Sequence, residues 1–335
     1  MSDNIEKTIQ LLKDIREGKT SPSEKPLELQ NADFTGENLE GIDFSFINLS
    51  GAIFDRCNLS GANFFKATLH KVSFKEANLQ NAEFTASELN KADFEKADAS
   101  NAGFGASIMK EVSCFQANFS NTTLSKTIMT NSDFRMVNFS GARFLGAQMD
   151  KCDFTKANFQ NAELSDSNLN KSVFRDVDLR GANLKLIKNY TSCDWYGVDF
   201  RNTNFLGAYL FKRYVVDYNY LEEFKRQSKV HAFVYFLWWV TSDCGRSVTR
   251  WFAWIIAFIL LFTYFYTLVP IDYGSHQTWL SPFYFSVVTF TTLGFGDVLP
   301  MNTTGQILVI VEVLLGYAML GGALSIFANK FARRG

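Results

Sequence analysis

The chain has 335 residues, 47% hydrophobic and 20% charged, with a formal net charge of −1. That length accommodates two domains with ample core, and the near-neutral balance argues against a nucleic-acid binder, which carries a basic surface. Cys57, Cys114, Cys152, Cys193 and Cys244 form no CxxC pair and the three histidines are scattered, so neither a disulfide framework nor a bound metal cofactor is expected. The mean hydropathy of −0.05 averages two unlike parts: residues 1–210 are polar and regular, and residues 250–329 are almost uncharged.

Residues 1–26 come first. Lys7, Lys13, Arg16 and Lys19 stand there without an apolar run, so no secretory leader is expected. Ile5, Ile9, Leu12 and Ile15 fall on one face of an amphipathic helix over about residues 3–17, which reads as a packing helix or terminal cap followed by a linker, with a membrane-surface anchor as the alternative.

From Leu29 to Leu184 nearly every fifth residue is large and apolar. Of these 32 positions, 30 are Leu, Phe or Met, and the exceptions are Ala99 and Cys114. A small or β-branched residue stands two places before most of them, as in Ala52, Ala62 and Ala77. Period five fits neither a helix nor a plain strand, and it does fit a solenoid in which each unit forms one side of a coil. From Phe34 to Phe94, Phe and Leu alternate strictly. Four sides per coil would stack Phe34, Phe54, Phe74 and Phe94 on one side and Phe44, Phe64, Phe84 and Phe104 opposite. The spacing would be about 4.8 Å, giving eight coils and a rod of roughly 38 Å. Where Ala99 leaves a gap, Phe119 follows one coil later and compensates its volume. Phe200, Phe205 and Leu210 keep the period but slip by one residue, and the irregular residues 189–196 are expected to absorb the extra residue as a bulge.

Units such as Ala-Asn-Leu-Gln-Asn (77–81) and Ala-Asp-Phe-Glu-Lys (92–96) resemble the pentapeptide-repeat family over residues 27–210. The resemblance implies a right-handed quadrilateral parallel β-helix, with the large residue and the small one before it both pointing inward. That region holds 22 acidic and 18 basic residues, a net charge of −4, too mild and mixed for a DNA-mimicking surface. A scaffold, or a surface for a cytoplasmic partner or ligand, is the expectation. The many Ser, Asn and Asp residues read as coil corners.

Residues 211–249 form a linker. Residues 217–229 read as a charged helix. Residues 233–240 (Phe-Val-Tyr-Phe-Leu-Trp-Trp-Val) are apolar and aromatic but too short to span a bilayer. They read as a segment at the cytoplasmic membrane surface, where Trp and Tyr favour the headgroup level. The alternative is a plug over the open end of the solenoid.

Residues 251–269 carry no charge, and residues 307–328 carry only Glu312. About 20 residues at ~1.5 Å each cross a ~30 Å hydrocarbon core, so both read as transmembrane helices. Lys225, Arg226, Lys229, Arg246 and Arg250 precede the first, and Lys330, Arg333 and Arg334 follow the second. No Lys or Arg lies between residues 251 and 329, so both termini and the solenoid are expected on the cytoplasmic side of the cell membrane. Residues 280–291 are apolar, too short to span, and read as a re-entrant helix sheltered by protein or a water-filled cavity.

Thr-Thr-Leu-Gly-Phe-Gly-Asp (291–297) follows directly. It resembles the potassium-channel selectivity filter, and residues 250–333 resemble the two-helix potassium-channel pore. The resemblance implies an all-α transmembrane pore domain with a re-entrant pore helix, which includes Thr289 and Thr291, and a filter at residues 292–297. Four chains would surround one pore as a homotetramer in the lipid bilayer. The carbonyls of Thr292, Leu293, Gly294 and Phe295, with the Thr292 hydroxyl, would replace the hydration shell of K+, the permeant ion. Gly296 and Asp297 complete the motif. Glycine suits the positive-φ positions that such a filter needs.

Some members of that family carry a Glu behind the filter where this chain has Val288. They also carry two Trp where Tyr284 and Phe285 stand, and Phe295 replaces a Tyr. Gly316 resembles the gating-hinge glycine, with close helix packing as the alternative, and Gly321 and Gly322 present the same choice. Glu312 is costly at membrane depth and is expected to face protein or the pore. Asp272 and Asp297 would gather cations at the outer mouth. The expected function is passive, potassium-selective conduction rather than enzymatic catalysis, with the repeat domain as scaffold or gating regulator. A weakly selective cation channel and a membrane-tethered partner-binding scaffold are the alternatives.

Overall fold

The computed structural model describes residues 10, 29–205 and 208–332; the helix expected over residues 3–17 lies, Gln10 apart, outside them. The chain divides into two compact units, Met1–Glu222 and Glu223–Gly335.

The first unit is a four-sided parallel β-helix. Its bridges join residues 20 apart, as in Asn38↔Asn58 and Ser73↔Asp93, so four five-residue sides close one coil. Each side ends in a two-residue corner whose second residue has positive φ, such as Lys71, Glu76, Asn81 and Ala86 at 57–59°. A backbone bond closes the corner, as in Ala77 N–H to Phe74 O at 3.1 Å. The large residue and the small one before it both point inward: Phe54, Leu59 and Phe64 are fully buried, as are Ala52 and Ala62.

Phe34 and Phe54 stack at 4.8 Å and 4°, and Phe64 and Phe84 at 4.7 Å and 3°. The two columns meet edge-on across the coil, as in Phe64 and Phe74 at 5.7 Å and 81°. Such pairs add about 0.5–1.5 kcal/mol each to the burial term. Phe119 touches both Phe94 and Phe104, at 5.8 and 5.3 Å, which accounts for the tolerated Ala99. Cys57 occupies a small inward position and its thiol donates to Phe34 O at 2.7 Å; burial pushes that thiol up to about 11.

The Asn and Asp residues do more than turn corners. Many stand in the middle of a side, where in-register stacking aligns their amides. Asn78 Nδ2 donates to Asn58 Oδ1 at 3.0 Å, and Asn58 Nδ2 to Asn38 Oδ1 at 2.9 Å. Asn138 and Asn158 continue the same ladder at 3.1 Å. Their Oδ1 atoms also accept from the corner N–H two residues on, as Asn48 does from Ser50 at 3.0 Å. One inward hydroxyl, Ser107 Oγ, has no partner. Neighbouring coils take the nearby carbonyls: Ser87 Oγ donates to Phe84 O at 2.7 Å and Thr127 Oγ1 to Phe104 O at 2.9 Å.

The register slip is real, but it is not a β-bulge. Asn168 pairs with Lys188, 20 residues on, whereas Val173 pairs with Asp194, 21 on. The extra residue sits in a 3-10 turn at Tyr190–Ser192, where a corner widens without breaking a bridge. Trp195 then takes the place of a Phe in the column. It is fully buried, stacks on Phe174 at 4.4 Å and donates Nε1–H to Tyr190 O at 2.8 Å. Helix α1, Tyr209–Arg226, covers this last coil through Phe211 and Val215. Phe211 meets Trp195 edge-on at 4.8 Å, and Tyr218 Oη donates to Asp194 Oδ1 at 3.0 Å. Leu210, expected on the repeat frame, instead lies exposed at the start of α1. Covering thus falls to α1, whereas Phe233, Phe236, Leu237 and Trp239 are exposed.

The charged helix expected over residues 217–229 is the later part of α1 and already ends at Arg226. Ser228 adopts extended backbone and caps α2, Lys229–Ser242, by accepting from His231 N–H. Asp243, Cys244 and Gly245, all with positive φ, turn the chain into α3, Val248–Leu268, which Ser247 caps through Arg250 N–H. Trp254 Nε1–H donates to Val240 O at 3.3 Å and ties α2 to α3. Two short strands, β1 (Ile271–Asp272) and β2 (Leu299–Pro300), pair antiparallel. Between them runs α4, Ser281–Phe290, with Pro282 in its first turn, where its missing N–H costs nothing. Helix α5 is Thr303–Ala332. Helices α3 and α5 are long and apolar enough to cross a membrane, over Val248–Leu268 and Thr303–Ala328. At 10 residues α4 reaches about 15 Å, half of that thickness.

Candidate functional site

The site begins where α4 ends. Thr289 is buried in its last turn, and Thr291 is the C-cap, one residue beyond the helix in which it was expected. Thr291 Oγ1 donates back to Val287 O at 2.7 Å. Thr292 N–H reaches Thr289 O and Leu293 N–H reaches Val288 O, each at 3.0 Å. The last carbonyls of α4 thereby hold Thr292 and Leu293.

Beyond them the backbone alternates. Thr292, Gly294 and Gly296 have φ of 59°, 49° and 77°, while Leu293 and Phe295 stay outside the positive range. Alternating handedness turns successive carbonyls to one side of the strand, the geometry that carbonyl coordination of a cation needs. Glycine enters this region freely. Thr292 does not: a left-handed β-branched residue costs about 1–2 kcal/mol, and the two bonds into α4 hold it there. Leu293 and Phe295 are 62% and 67% exposed on the single chain, so their side chains are left for another surface to cover.

A side-chain bond braces the far end of this segment. Tyr284 Oη donates to Asp297 Oδ2 at 2.9 Å. In the sequence Tyr284 shows only as a departure from a Trp pair, and its spacing of 13 residues from Asp297 carries no signal without the fold. Asp272, on β1, accepts from Gly274 N–H at 2.9 Å and so shapes its own turn. The β1–β2 pairing sets Asp272 opposite Leu299, two residues past Asp297.

Helix α5 places Gly316 and Gly322 at close contacts, the alternative to a hinge, and turns Glu312 toward protein, one of the two expected directions. A Cβ on Gly316 would stand 2.1 Å from Phe290 O, so this glycine is where α5 lies against the end of α4. Helix α5 continues unbroken through it. Gly322 packs under Trp251, whose ring would be 2.3 Å from a Cβ there and whose Nε1–H donates to Met319 O at 2.7 Å. Gly321 has nothing within 4 Å. Glu312 is fully buried and faces protein. Tyr266 Oη on α3 donates to it at 2.6 Å and Ser286 Oγ on α4 at 2.5 Å. Neither partner was singled out in the sequence, because a lone Tyr and Ser within apolar stretches are unremarked until the helices pack. Val288 is buried. Among the described residues, no group of His, Cys, Asp and Glu is arranged to hold a metal ion.

Residues 251–333 match the ion channel family model. Residues 27–104 match the pentapeptide repeat region model, and residues 117–155 and 147–185 match pentapeptide repeats. Two-pore potassium channel 4 of Arabidopsis thaliana is 35% identical over 82 residues, covering 22% of this chain and 29% of that protein. The chain thus spans less than a third of that relative's length. Among solved structures, HetL is a pentapeptide repeat protein involved in heterocyst differentiation regulation from the cyanobacterium Nostoc. It is 21% identical, covers 57% of this chain and 95% of its own, and has a TM-score of 0.26. Trypsin-treated QnrB1, a plasmid-mediated fluoroquinolone resistance protein, is 20% identical, with coverages of 54% and 95% and a TM-score of 0.30.

Proposed function

We propose that this chain, which joins a potassium-channel-type segment to an N-terminal run of pentapeptide repeats, assembles as a homotetramer in the cell membrane and conducts K+ passively. The observation that carries the reading is the alternation of positive φ at Thr292, Gly294 and Gly296, at the end of a half-length helix between two membrane-length ones. In the tetramer the carbonyls of Thr292, Leu293, Gly294 and Phe295, with the Thr292 hydroxyl, coordinate the dehydrated ion. The C-terminus of α4 faces the filter base with the negative end of its dipole, which favours a cation there. Asp272 and Asp297 add negative potential at the outer mouth.

Basic residues on the flanks of α3 and α5, and none from residue 251 to 329, favour cytoplasmic termini. The repeat unit presents ladders of polar side chains along its sides, suited to an extended partner surface. We assign it a scaffold or gating role.

The test is rubidium uptake into liposomes holding the purified full chain. The parent takes up rubidium, and Gly294→Ala and Gly296→Ala abolish uptake while tetramers persist. A parent equally permeable to sodium would point to a weakly selective cation channel. A parent with no uptake of either ion would leave the membrane-tethered scaffold.

A further inference from the structure

The buried carboxyl of Glu312 takes no part in the ion pathway described above. It nevertheless sits where three helices meet. Oε2 accepts from Tyr266 of α3 at 2.6 Å, and Oε1 accepts from Ser286 of α4 at 2.5 Å. Ser286 Oγ lies in addition 2.9 Å from the Ile259 carbonyl of α3. All three side chains are buried. A polar group at such depth is retained only with its bonds made, because each unmade one costs about 1–3 kcal/mol.

The placement is in register with the filter. Ser286 stands four residues before Phe290, and Glu312 stands four residues before Gly316. Glu312 bonds Ser286, and Gly316 lies against the Phe290 carbonyl. Successive turns of α5 therefore contact successive turns of α4, the first by hydrogen bond and the second by backbone approach. The filter starts two residues after the second contact. A slip of α4 along α5 would break the first contact and drive Phe290 away from Gly316.

We infer that Glu312 is a positioning residue, whose carboxyl joins α3, α4 and α5 at one point and fixes the depth of α4 and hence the filter geometry. Its action is through connection and not through charge. The carboxyl and a glutamine amide are equivalent in this respect. Glutamine's Oε1 accepts from Tyr266, its Nε2 donates to Ser286 Oγ, and the Ser286 proton turns to Ile259 O. Leucine fills the volume but leaves the Tyr266 hydroxyl without its acceptor and Ser286 with Ile259 O alone, so the tie from α5 to both other helices is lost.

The inference rests on the channel reading only for its transport readout, so two measurements are made on the full chain in liposomes. One is the ratio of rubidium to sodium uptake. The other is amide hydrogen exchange over residues 281–290, which needs no transport. Glu312→Leu should lower the uptake ratio and raise exchange, each roughly tenfold. Glu312→Gln should stay within about twofold of the parent in both. Ser286→Ala should resemble Glu312→Leu, and the double variant should be no worse than Glu312→Leu alone. The inference is overturned if Glu312→Gln is as damaging as Glu312→Leu, since charge would then be the property that matters. It is overturned equally if Ser286→Ala leaves exchange over residues 281–290 at the parent level. A parent that transports neither ion would refute the channel reading while the exchange data still decide the role of Glu312.

Discussion

Replacing Gly316 by Ala separates the two roles a glycine can have in the inner helix. The added Cβ would lie 2.1 Å from Phe290 O, 2.9 Å from its carbonyl carbon and 3.0 Å from its Cα. Ordinary carbon contacts begin near 3.5 Å, so the Phe290 backbone has to retreat by about 1 Å. Phe290 has no slack, being fully buried at the end of α4. Overpacking of this kind costs about 1–3 kcal/mol, and the better helix propensity of Ala returns at most about 1 kcal/mol.

Gly321 is the internal control. With nothing within 4 Å of its Cβ position, Gly321→Ala should be neutral or slightly stabilising. Gly322→Ala falls between, since its obstacle is the Trp251 ring, which can swing aside at the loss of its bond to Met319 O. Heat-induced dissociation of the proposed tetramer in detergent orders the three variants, with Gly316→Ala lowest. Bilayer recording then adds loss of selectivity for Gly316→Ala alone. If Gly316→Ala melts with the parent, stays selective and opens less often, close packing is refuted and the glycine is a hinge.

Other variants probe the remaining parts. Trp195→Ala removes the side chain that ends the Phe column. It should cost about 3–5 kcal/mol locally, read as faster hydrogen exchange over residues 174–205 with the coils near Phe54 unchanged. Ser107→Ala deletes a buried hydroxyl without a partner and should be neutral or stabilising by up to about 1 kcal/mol, whereas Ser87→Ala should cost about that much. Tyr284→Phe breaks the bond to Asp297 and should shorten single-channel openings, and Asp297→Asn combined with it should add little. Asp272→Asn keeps an acceptor for Gly274 N–H and loses the charge, so conductance should fall more at low salt than at high salt.

The repeat unit was legible because its signal is local and reiterated. Period five places one large residue per side, and the alternation of Phe and Leu already implies four sides. The slip after Leu184 was legible as well, but its form was not. A one-residue insertion can be housed in a strand or at a corner, and the choice of the turn at Tyr190–Ser192 depends on Trp195 finding the column. Trp195 stands on the shifted frame of Phe200 and Phe205, a signal that was present and unused. Asparagine was read for turns because its turn propensity is a property of one residue. The ladder from Asn38 to Asn78 is a property of three residues 20 apart.

In the second unit the motif of seven consecutive residues, 291–297, pointed to the segment whose backbone alternates at Thr292, Gly294 and Gly296. The bond from Tyr284 to Asp297 spans 13 residues, and the meeting of Tyr266, Ser286 and Glu312 spans 46. Such contacts depend on how helices pack, which sequence spacing alone does not encode. Gly316 shows the same limit: flexibility and close approach both call for glycine, and only the neighbouring Phe290 carbonyl distinguishes them.

The central claim is that the alternating backbone of residues 292–296 selects potassium. The most direct measurement is the reversal potential of the full chain in a planar bilayer, with potassium on one side and an equal concentration of sodium on the other. The account predicts a large displacement toward the potassium equilibrium potential, about 59 mV for each tenfold of selectivity for a monovalent ion. It also predicts loss of that displacement in any Gly294→Ala channel that still conducts. A reversal potential at zero in the parent would contradict it.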